Sequence, residues 1–213
     1  MTANLTPEML VAAYAGGIFP MAEHRGDNEL FWVDPRKRGV LPIAGLHISR
    51  SLRKTLRSER FRITYDVDFN GVVAGCAARE ETWINDTLAE LYGQLHLARM
   101  ARSIEVWQDD TLVGGCFGIT LGGAFFGESM FSTRTDASKV ALAYLVDRLR
   151  VGGFALFDTQ FITPHLARLG AIEIPRATYR ARLIEALALD ADFDGQGPVT
   201  DVYSLLQRNA QTS

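Results

Sequence analysis

The stretch IEVWQDDTLVGGCFGITLGGAFFGESMF, residues 104–131, contains the pattern that decides the fold. Its side chains alternate between apolar and polar or small, as they do in strands that bury one face. The alternation is interrupted at Asp109-Asp110 and again at Gly122-Gly123, and both dipeptides are typical of tight hairpin turns. The sequence therefore predicts three antiparallel strands in succession.

Helices and further strands are predicted on both sides of these three strands. Downstream, the pattern indicates an amphipathic helix over 136–151, a strand over 154–161, a short helix over 164–169, a strand over 171–174 and a helix over 179–189. Upstream, helices are predicted over 86–101 and 48–60, and another begins at Pro7 and ends at Gly16-Gly17. This order indicates an α+β fold with a mixed sheet flanked by helices, and it is the order of an acetyltransferase-like (GNAT-like) domain.

The chain is predicted to have three parts. Residues 1–45 form a small N-terminal α/β domain, residues 46–190 form the acetyltransferase-like domain, and residues 191–213 form an acidic, loosely held tail. A secretory signal is not expected, and no apolar run approaches the ~20 residues of a membrane span. Cys76 and Cys116 lie outside any paired spacing, so we expect a cytoplasmic protein in a reducing compartment.

Charge is unevenly distributed along the chain. Between Arg36 and Arg62 there are nine Lys or Arg residues and one acid, a balance of 9 - 1 = +8. The remainder carries (22 - 9) - (25 - 1) = -11. Basic residues of the helix predicted over 48–60 follow the spacing of one helix face: Arg50, Arg53, Lys54 and Arg57. A basic face on an acidic chain favours one anionic partner such as a nucleic-acid backbone, although such faces are often only solvated.

Common catalytic signatures are absent from the sequence. The four His residues have no metal-ligand spacing to a Cys or to each other, and there is no nucleotide-binding loop of the Walker type. Ser129 occupies the serine position of a segment that begins like a nucleophile elbow, Gly-x-Ser-x-Gly. Phe131 stands where the second glycine belongs, so Ser129 is a poor candidate for a nucleophile. Residues 150–155 fit an acetyltransferase phosphate loop, but they end a predicted helix and open a strand, which is the wrong order for a pyrophosphate site. We therefore expect neither a metal nor a cofactor.

Several uncommon motifs follow one another along the chain. They are Ala13-Tyr14 with Gly17-Ile18-Phe19-Pro20, Phe31-Trp32 with Asp34-Pro35-Arg36, Thr82-Trp83-Ile84, Ser103-Ile104-Glu105-Val106-Trp107, Leu112-Val113-Gly114-Gly115, Gly127-Glu128-Ser129-Met130-Phe131-Ser132, Asp136-Ala137-Ser138-Lys139, Asp158 with Gln160, and His165-Leu166 with Leu169-Gly170-Ala171. In identity and order, from about residue 10 to residue 185, the chain resembles the leucyl/phenylalanyl-tRNA-protein transferase family.

The resemblance implies an activity and a set of catalytic residues. Members attach Leu, Phe or sometimes Met from aminoacyl-tRNA to proteins that begin with Arg or Lys, which creates a degradation signal of the N-end rule. Asp158 is implied to polarise Gln160, whose carbonyl oxygen takes or orients the proton of the amine. Glu128 is implied to hold the cationic acceptor. A plain alternative is that Asp158 and Gln160 only satisfy backbone groups at a strand end.

The resemblance also implies a donor site. Trp32, Trp83 and Phe125 correspond to the aromatic residues at the terminal adenosine, and aromatic faces bind bases by stacking. The amino-acid pocket is implied to consist of Cys116, Met130, Ser132 and Phe157. On a regular strand, residues 126, 128, 130 and 132 share one face, which would place Met130 beside Glu128. The basic helix face is the expected contact for the tRNA backbone.

Some positions depart from the family pattern, and other functions stay open. Cys116 stands where a larger Met is familiar, so the donor pocket is expected to be wider, with a relaxed or Phe-shifted preference. Thr163 takes the place of an Asn. The competing functions are a CoA-dependent N-acyltransferase on the same fold and a non-catalytic tRNA-binding module. A monomer is expected because no apolar heptad or interface strand is evident.

Overall fold

The computed structural model describes residues 5–27, 29–79 and 82–211. The helices are α1 (Pro7–Ala15), α2 (Arg50–Arg57), α3 (Phe69–Ala77), α4 (Asp86–Leu97), α5 (Ala137–Val151), α6 (Pro164–Arg168), α7 (Arg176–Leu187) and α8 (Val202–Ala210). The strands are β1 (Phe19–Met21), β2 (Phe31–Val33), β3 (Lys37–Val40), β4 (Arg62–Tyr65), β5 (Ala101–Gln108), β6 (Thr111–Leu121), β7 (Ala124–Ser132), β8 (Leu156–Gln160) and β9 (Ile172–Pro175).

Within the described residues, seven strands form one large sheet in the order β4-β5-β6-β7-β8-β3-β9. Neighbouring strands are antiparallel throughout, except for the parallel pair β7–β8. Strands β1 and β2 form a separate antiparallel pair. The predicted α+β fold with a large sheet flanked by helices is therefore confirmed.

The three predicted central strands are β5, β6 and β7, joined by the two predicted turns. Asp109 and Asp110 both have positive φ, 48° and 59°, which is the backbone of a type I′ hairpin turn. Gly122 has a φ of 53°, and a Cβ there would lie 2.6 Å from the carbonyl oxygen of Leu187. Local turn chemistry therefore specifies this part of the sheet.

Helices cover both faces of the large sheet and bury two apolar clusters. On one face, here called the α5 face, α2, α5 and α8 pack over residues such as Cys116 and Phe125. On the other, here called the α4 face, α1, α3, α4 and α7 pack over residues such as Phe117 and Phe126. Because neighbouring strand residues point to opposite faces, the pairs 116/117 and 125/126 each contribute to both clusters.

Most predicted helices are confirmed with shifted ends, and three elements were not predicted: α3, β4 and α8. The helix predicted over 86–101 ends at Leu97, because Arg99 has a positive φ of 59° and β5 begins at Ala101. The first helix begins as predicted, with the hydroxyl of Thr6 accepting a hydrogen bond from the backbone N–H of Met9 and with Pro7 in the first turn.

The prediction of a loosely held tail over residues 191–213 is wrong for its described part. Helix α8 lies there, capped by Asp201, and it buries Val202, Leu205 and Leu206 in the α5-face cluster. These apolar residues recur at helical spacing, which outweighs the acidic composition of the preceding loop. Residues 212 and 213 lie outside the described residues.

The small N-terminal domain predicted over residues 1–45 stays a prediction, but β3 does not separate from the rest of the fold. Residues 37–40 pair with β9 on one side, and Gly39 and Val40 pair with β8 on the other, inside the large sheet. Residues 1–4 and Asn28 lie outside the described residues. None of the helices in the described ranges combines the length and hydropathy that crossing a membrane requires.

Candidate active site

The candidate site lies where β7 and β8 separate. Their parallel pairing covers three register pairs and ends at Phe126 with Asp158. Beyond this point β8 ends at Gln160, whose φ of 57° turns the backbone away from strand geometry. A cavity of about 740 Å³ lies there, lined by residues from both strands and from both faces of the sheet. The end of the parallel pairing therefore creates room for a ligand inside the sheet.

A β-bulge at Glu128 gives β7 an irregular alternation. Gly118 is paired with Gly127 and Phe117 with Ser129, so Glu128 has no partner in the register. The expectation that residues 126, 128, 130 and 132 share one face is therefore wrong. Phe126 lies in the α4-face cluster, whereas Met130 packs against the α5-face cluster. The extra residue shifts the alternation, so the strand supplies one carboxylate and one apolar wall to the same cavity.

Glu128 is buried and hydrogen-bonded on both oxygens. The hydroxyl of Tyr92 donates to Oε2 at 2.8 Å, and the side-chain amide of Gln160 donates to Oε1 at 2.9 Å. The hydroxyls of Tyr92 and Tyr14 lie 3.3 Å apart, which extends the chain of hydrogen bonds. Burial raises the pKa of Glu128 to about 7, although the tyrosine hydroxyls oppose the rise. This carboxyl group therefore changes charge near neutral pH.

Asp158 is fully buried and has four hydrogen-bond donors around its carboxylate. Arg38 donates through Nε at 2.9 Å and through Nη2 at 2.7 Å, and the hydroxyl of Tyr179 donates at 2.7 Å. The fourth donor is the backbone N–H of Gln160, at 2.8 Å. Asp158 therefore holds Gln160 through its backbone, and these hydrogen bonds do not include the side-chain contact that direct polarisation of Gln160 requires.

Arg38 connects this carboxylate to the N-terminal part of the chain. Its guanidinium lies between the rings of Phe19 and Tyr179, 4.4 and 4.5 Å from their centroids, and Nη1 donates to the carbonyl oxygen of Gly17 at 3.1 Å. Sequence reasoning missed Arg38, because it counted this residue only as part of the basic segment. Tyr14 belongs to the Ala13-Tyr14 motif, but no role was predicted for it from the sequence. A buried arginine has no local sequence signal that separates it from exposed ones.

Most of the predicted site residues are brought together. The predicted residues that line the cavity are Glu128, Gln160, Trp83, Phe125, Cys116, Met130, Ser132 and Phe157. Residues that were not predicted complete its apolar part: Leu142, Leu145 and Leu166. Asp158 lies behind the wall with no exposed surface. Trp32 is missing from the described lining residues and lies on β2, with 43% of its surface exposed.

The predicted basic face lies on α2. Leu52 and Leu56 are buried on its inner side, while Arg50, Lys54 and Arg57 are exposed and Arg53 is half-buried. None of these four cations has a carboxylate partner among the described residues. They are therefore available to an external anion.

Residues 150–155, which fit a phosphate loop in sequence, have the backbone expected of a helix end. Helix α5 is capped at its C-terminus by Gly152, and Gly153 follows with a φ of 79°. The amide groups at a helix C-terminus are already used within the helix, so this segment presents no cluster of free N–H groups to a pyrophosphate.

Comparison with known proteins gives matches along almost the whole chain. The family model of the leucyl/phenylalanyl-tRNA protein transferase matches residues 40–184, and the model of the N-terminal domain of the same family matches residues 3–36. A leucyl/phenylalanyl-tRNA–protein transferase of Cereibacter sphaeroides is 61% identical over 209 residues, which cover 98% of each chain. Those of Roseobacter denitrificans and Ruegeria pomeroyi are 59% and 56% identical, over 99% of this chain and 100% of theirs.

Among solved structures, that of L-PGS from Bacillus licheniformis is similar over 96% of this chain and 75% of its own, at 13% identity and a TM-score of 0.43. A score of that size carries no argument about fold or function. The two family models together match most of the chain, and the relatives match it along almost their whole length. The chain therefore belongs to the leucyl/phenylalanyl-tRNA protein transferase family.

Proposed function

We propose that this protein transfers Leu or Phe, and Met as a third donor, from aminoacyl-tRNA to the α-amino group of proteins that begin with Arg or Lys. The product carries a new N-terminal residue that marks it for degradation. Family membership supports the transfer reaction, and the observation that carries the assignment to this site is the buried pair Glu128–Gln160 beside an apolar cavity. The enzyme is thus a peptide-bond-forming aminoacyltransferase that works in the cytoplasm.

The apolar part of the cavity is proposed to hold the donor side chain. Cys116 and Met130 are register partners on β6 and β7, and Phe157 of β8 faces the same cluster. Leu142 and Leu145 of α5 line the cavity with them. An apolar pocket of this kind selects by volume and shape, which suits Leu, Phe and Met and excludes charged side chains.

The terminal adenosine is proposed to bind at the aromatic end of the cavity. Trp83 lines the cavity and packs against Tyr92 with ring centroids 6.4 Å apart, in an edge-on arrangement. Trp83 is half-buried, and its exposed part is proposed to stack on the base, which contributes about 1–3 kcal/mol per base. Phe125 is 1% exposed and packs on Phe157, so it supports the wall of the pocket. Trp32 is missing from the described lining residues of the cavity, and its contact with the adenosine is proposed from the family motif alone.

The reaction is the aminolysis of an ester. The neutral α-amine attacks the ester carbonyl carbon, a C–N bond forms, the C–O bond to the ribose breaks, and the released hydroxyl takes up the proton that the amine loses. A terminal amine has a pKa of about 7.7–8.0 in peptides, so a useful fraction is neutral at pH 7. Positioning in the cavity therefore supplies much of the acceleration, and no nucleotide or metal is needed.

Gln160 is proposed to orient the attacking amine. Glu128 accepts the hydrogen bond from Nε2, which leaves Oε1 as the atom that can accept from the amine. Asp158 and Arg38 fix the backbone from which Gln160 projects. Glu128 is proposed to hold the cationic side of the acceptor, because a buried carboxylate gains most from a nearby positive charge.

We infer further that the large sheet is of the acetyltransferase type, with the substrate site between its separating parallel strands. The element order and the single parallel pair β7–β8 in the described sheet support this. A monomer is proposed as well, because the sequence contains no apolar heptad or evident interface strand. The basic face of α2 is proposed to contact the tRNA backbone, which gives affinity without sequence selectivity.

The experiment is a transfer assay without ATP. The purified protein is mixed with tRNA carrying radiolabelled Phe or Leu and with a model protein that begins with Arg, and label is counted in acid-precipitated protein after the ester is hydrolysed. A Met-starting acceptor is the control. Label on the Arg acceptor alone supports the proposal. No label on Arg or Lys acceptors with any of the three donors, together with saturable acetyl-CoA binding, would favour a CoA-dependent acyltransferase instead.

A further inference from the structure

The basic helix α2 is attached to the segment that borders the cavity. The hydroxyl of Thr55 donates to the carboxylate of Asp136 at 2.9 Å. Arg60, which follows α2, donates to the carbonyl oxygen of Thr135 at 2.8 Å. Both contacts reach the segment between β7 and α5, so the basic face and this segment keep a fixed relation to each other.

The same segment forms one edge of the cavity. Ser132 precedes it, Thr133 begins it and Ser138 follows it, and all three residues line the cavity. Ser132 and Thr133 are exposed on their outer side. A strand of RNA that lies along α2 and ends inside the cavity therefore has a short path across residues 132–138.

Two cations on this path form no salt bridge among the described residues, although the pKa of Asp136 is lowered mainly by its hydrogen bond with Lys139 and to a smaller extent by the charge of Arg60. Arg134 is exposed, and its guanidinium donates only to the carbonyl oxygen of the preceding Thr133, at 3.2 Å. Arg60 is exposed, stacks over Phe61 and donates to a backbone carbonyl. By contrast, Lys139 is paired with Asp136 at 2.8 Å, so it adds little free positive charge.

We propose that Arg60 and Arg134 form a binding site for the phosphodiester groups of the single-stranded 3′ end of the donor RNA, between the basic face of α2 and the cavity. The inference rests on the proposed function, because it assumes that the donor is an aminoacylated RNA. Two exposed guanidinium groups beside hydroxyl side chains suit phosphate oxygens, which accept hydrogen bonds from both. The site contacts the phosphate backbone and not the bases, so binding there does not depend on the base sequence.

Three donors of decreasing length test the site. They are Phe-tRNA, the trinucleotide CCA carrying Phe at its 3′ end, and the Phe ester of adenosine, which has no phosphate. The variants are Arg134→Gln and Arg60→Gln on the path and Lys54→Gln on α2. Arg182→Gln is the matched control, because Arg182 is exposed on α7, which covers the opposite face of the sheet. Thermal melting of each variant checks that the fold is intact.

The expected result differs for each donor. Arg134→Gln and Arg60→Gln each lower kcat/KM about fivefold with the tRNA and with the trinucleotide, or about 1 kcal/mol, and leave the adenosine ester unaffected. Lys54→Gln lowers kcat/KM with the tRNA alone, and Arg182→Gln changes none. With the trinucleotide, loss of one phosphate contact also reduces the slope of log kcat/KM against log salt by about 0.7.

Two outcomes overturn the inference while the wild type still transfers Phe from tRNA. One is an unchanged kcat/KM for the trinucleotide in both path variants. The other is an equal loss with the adenosine ester, which would make the two arginines structural. If the wild type transfers from none of the three donors, the proposed function fails, and this inference fails with it.

Discussion

The substitution Glu128→Gln keeps the size of a buried side chain and removes its charge. The partners can adapt to it. The new carbonyl oxygen still accepts from the amide of Gln160, and the new NH₂ group faces the hydroxyl of Tyr92, which can accept and turn its hydrogen towards Tyr14. The variant therefore isolates the free-energy cost of the charge with little change in packing.

The magnitude follows from the pKa of Glu128. Burial raises this pKa from 4.5 to about 7, so the folded state binds the proton more tightly than the unfolded state does. A carboxyl group with a raised pKa in the folded state lowers stability as the pH rises from its unfolded value through its folded value. At about 1.4 kcal/mol per pKa unit, ionised Glu128 costs the fold about 3 kcal/mol at pH 8 and less than about 1 kcal/mol at pH 5.

Urea denaturation of the wild type and of Glu128→Gln at pH 5 and pH 8 measures this difference. We subtract the unfolding free energy of the wild type from that of the variant at each pH. This difference should increase by about 2–3 kcal/mol from pH 5 to pH 8, because all other groups titrate equally in both proteins. The same variant should lose activity with Arg acceptors, since the acceptor cation has no carboxylate to contact. Stability differences that are equal at the two pH values would refute the assignment of a raised pKa to Glu128.

Three further substitutions have definite expected outcomes. Asp158→Asn should lower the unfolding free energy by about 3–5 kcal/mol in urea denaturation, because it leaves the guanidinium of Arg38 buried without a carboxylate; a loss below about 1 kcal/mol would contradict this. Cys116→Met should shift donor preference from Phe towards Leu by roughly tenfold or more in relative kcat/KM, because added methylenes narrow the pocket; an unchanged Leu:Phe ratio would remove Cys116 from the specificity site. Gly118→Ala should lower Tm by about 2–10 °C, because its Cβ would lie 2.2 Å from a carbonyl oxygen of β7. Gly93→Ala in α4, where a Cβ has room, is the control and should be neutral or stabilising.

The parts of the fold that local chemistry specifies could be predicted from the sequence. The turns at Asp109-Asp110 and Gly122-Gly123 and the cap at Thr6-Pro7 all act within a few residues, and the structure contains each of them. Helix α8 was missed because its acidic approach resembles a loop, while its packing depends on α5 and α2, which lie far away in the sequence. Apolar spacing was a better guide there than composition.

The candidate site divides in the same way. Motif order identified Glu128 and Gln160, and the structure places their side chains 2.9 Å apart. The partner of Asp158 could not be predicted, because Arg38 lies 120 residues away and only the pairing of β3 with β8 brings the two together. The bulge was also hidden, since a strand pattern assumes two residues per repeat and contains no sign of an insertion.

The bulge at Glu128 makes the site depend on how many residues β7 contains. Before the bulge, the even-numbered Phe126 lies on the α4 face with the tyrosines. After the bulge, the even-numbered Met130 packs against the apolar wall on the α5 face. Inserting one residue between Ser129 and Met130 would keep every neighbouring side chain but exchange the faces of the sheet on which Met130 and Phe131 lie. This stretch should therefore accept substitutions more readily than any change in length.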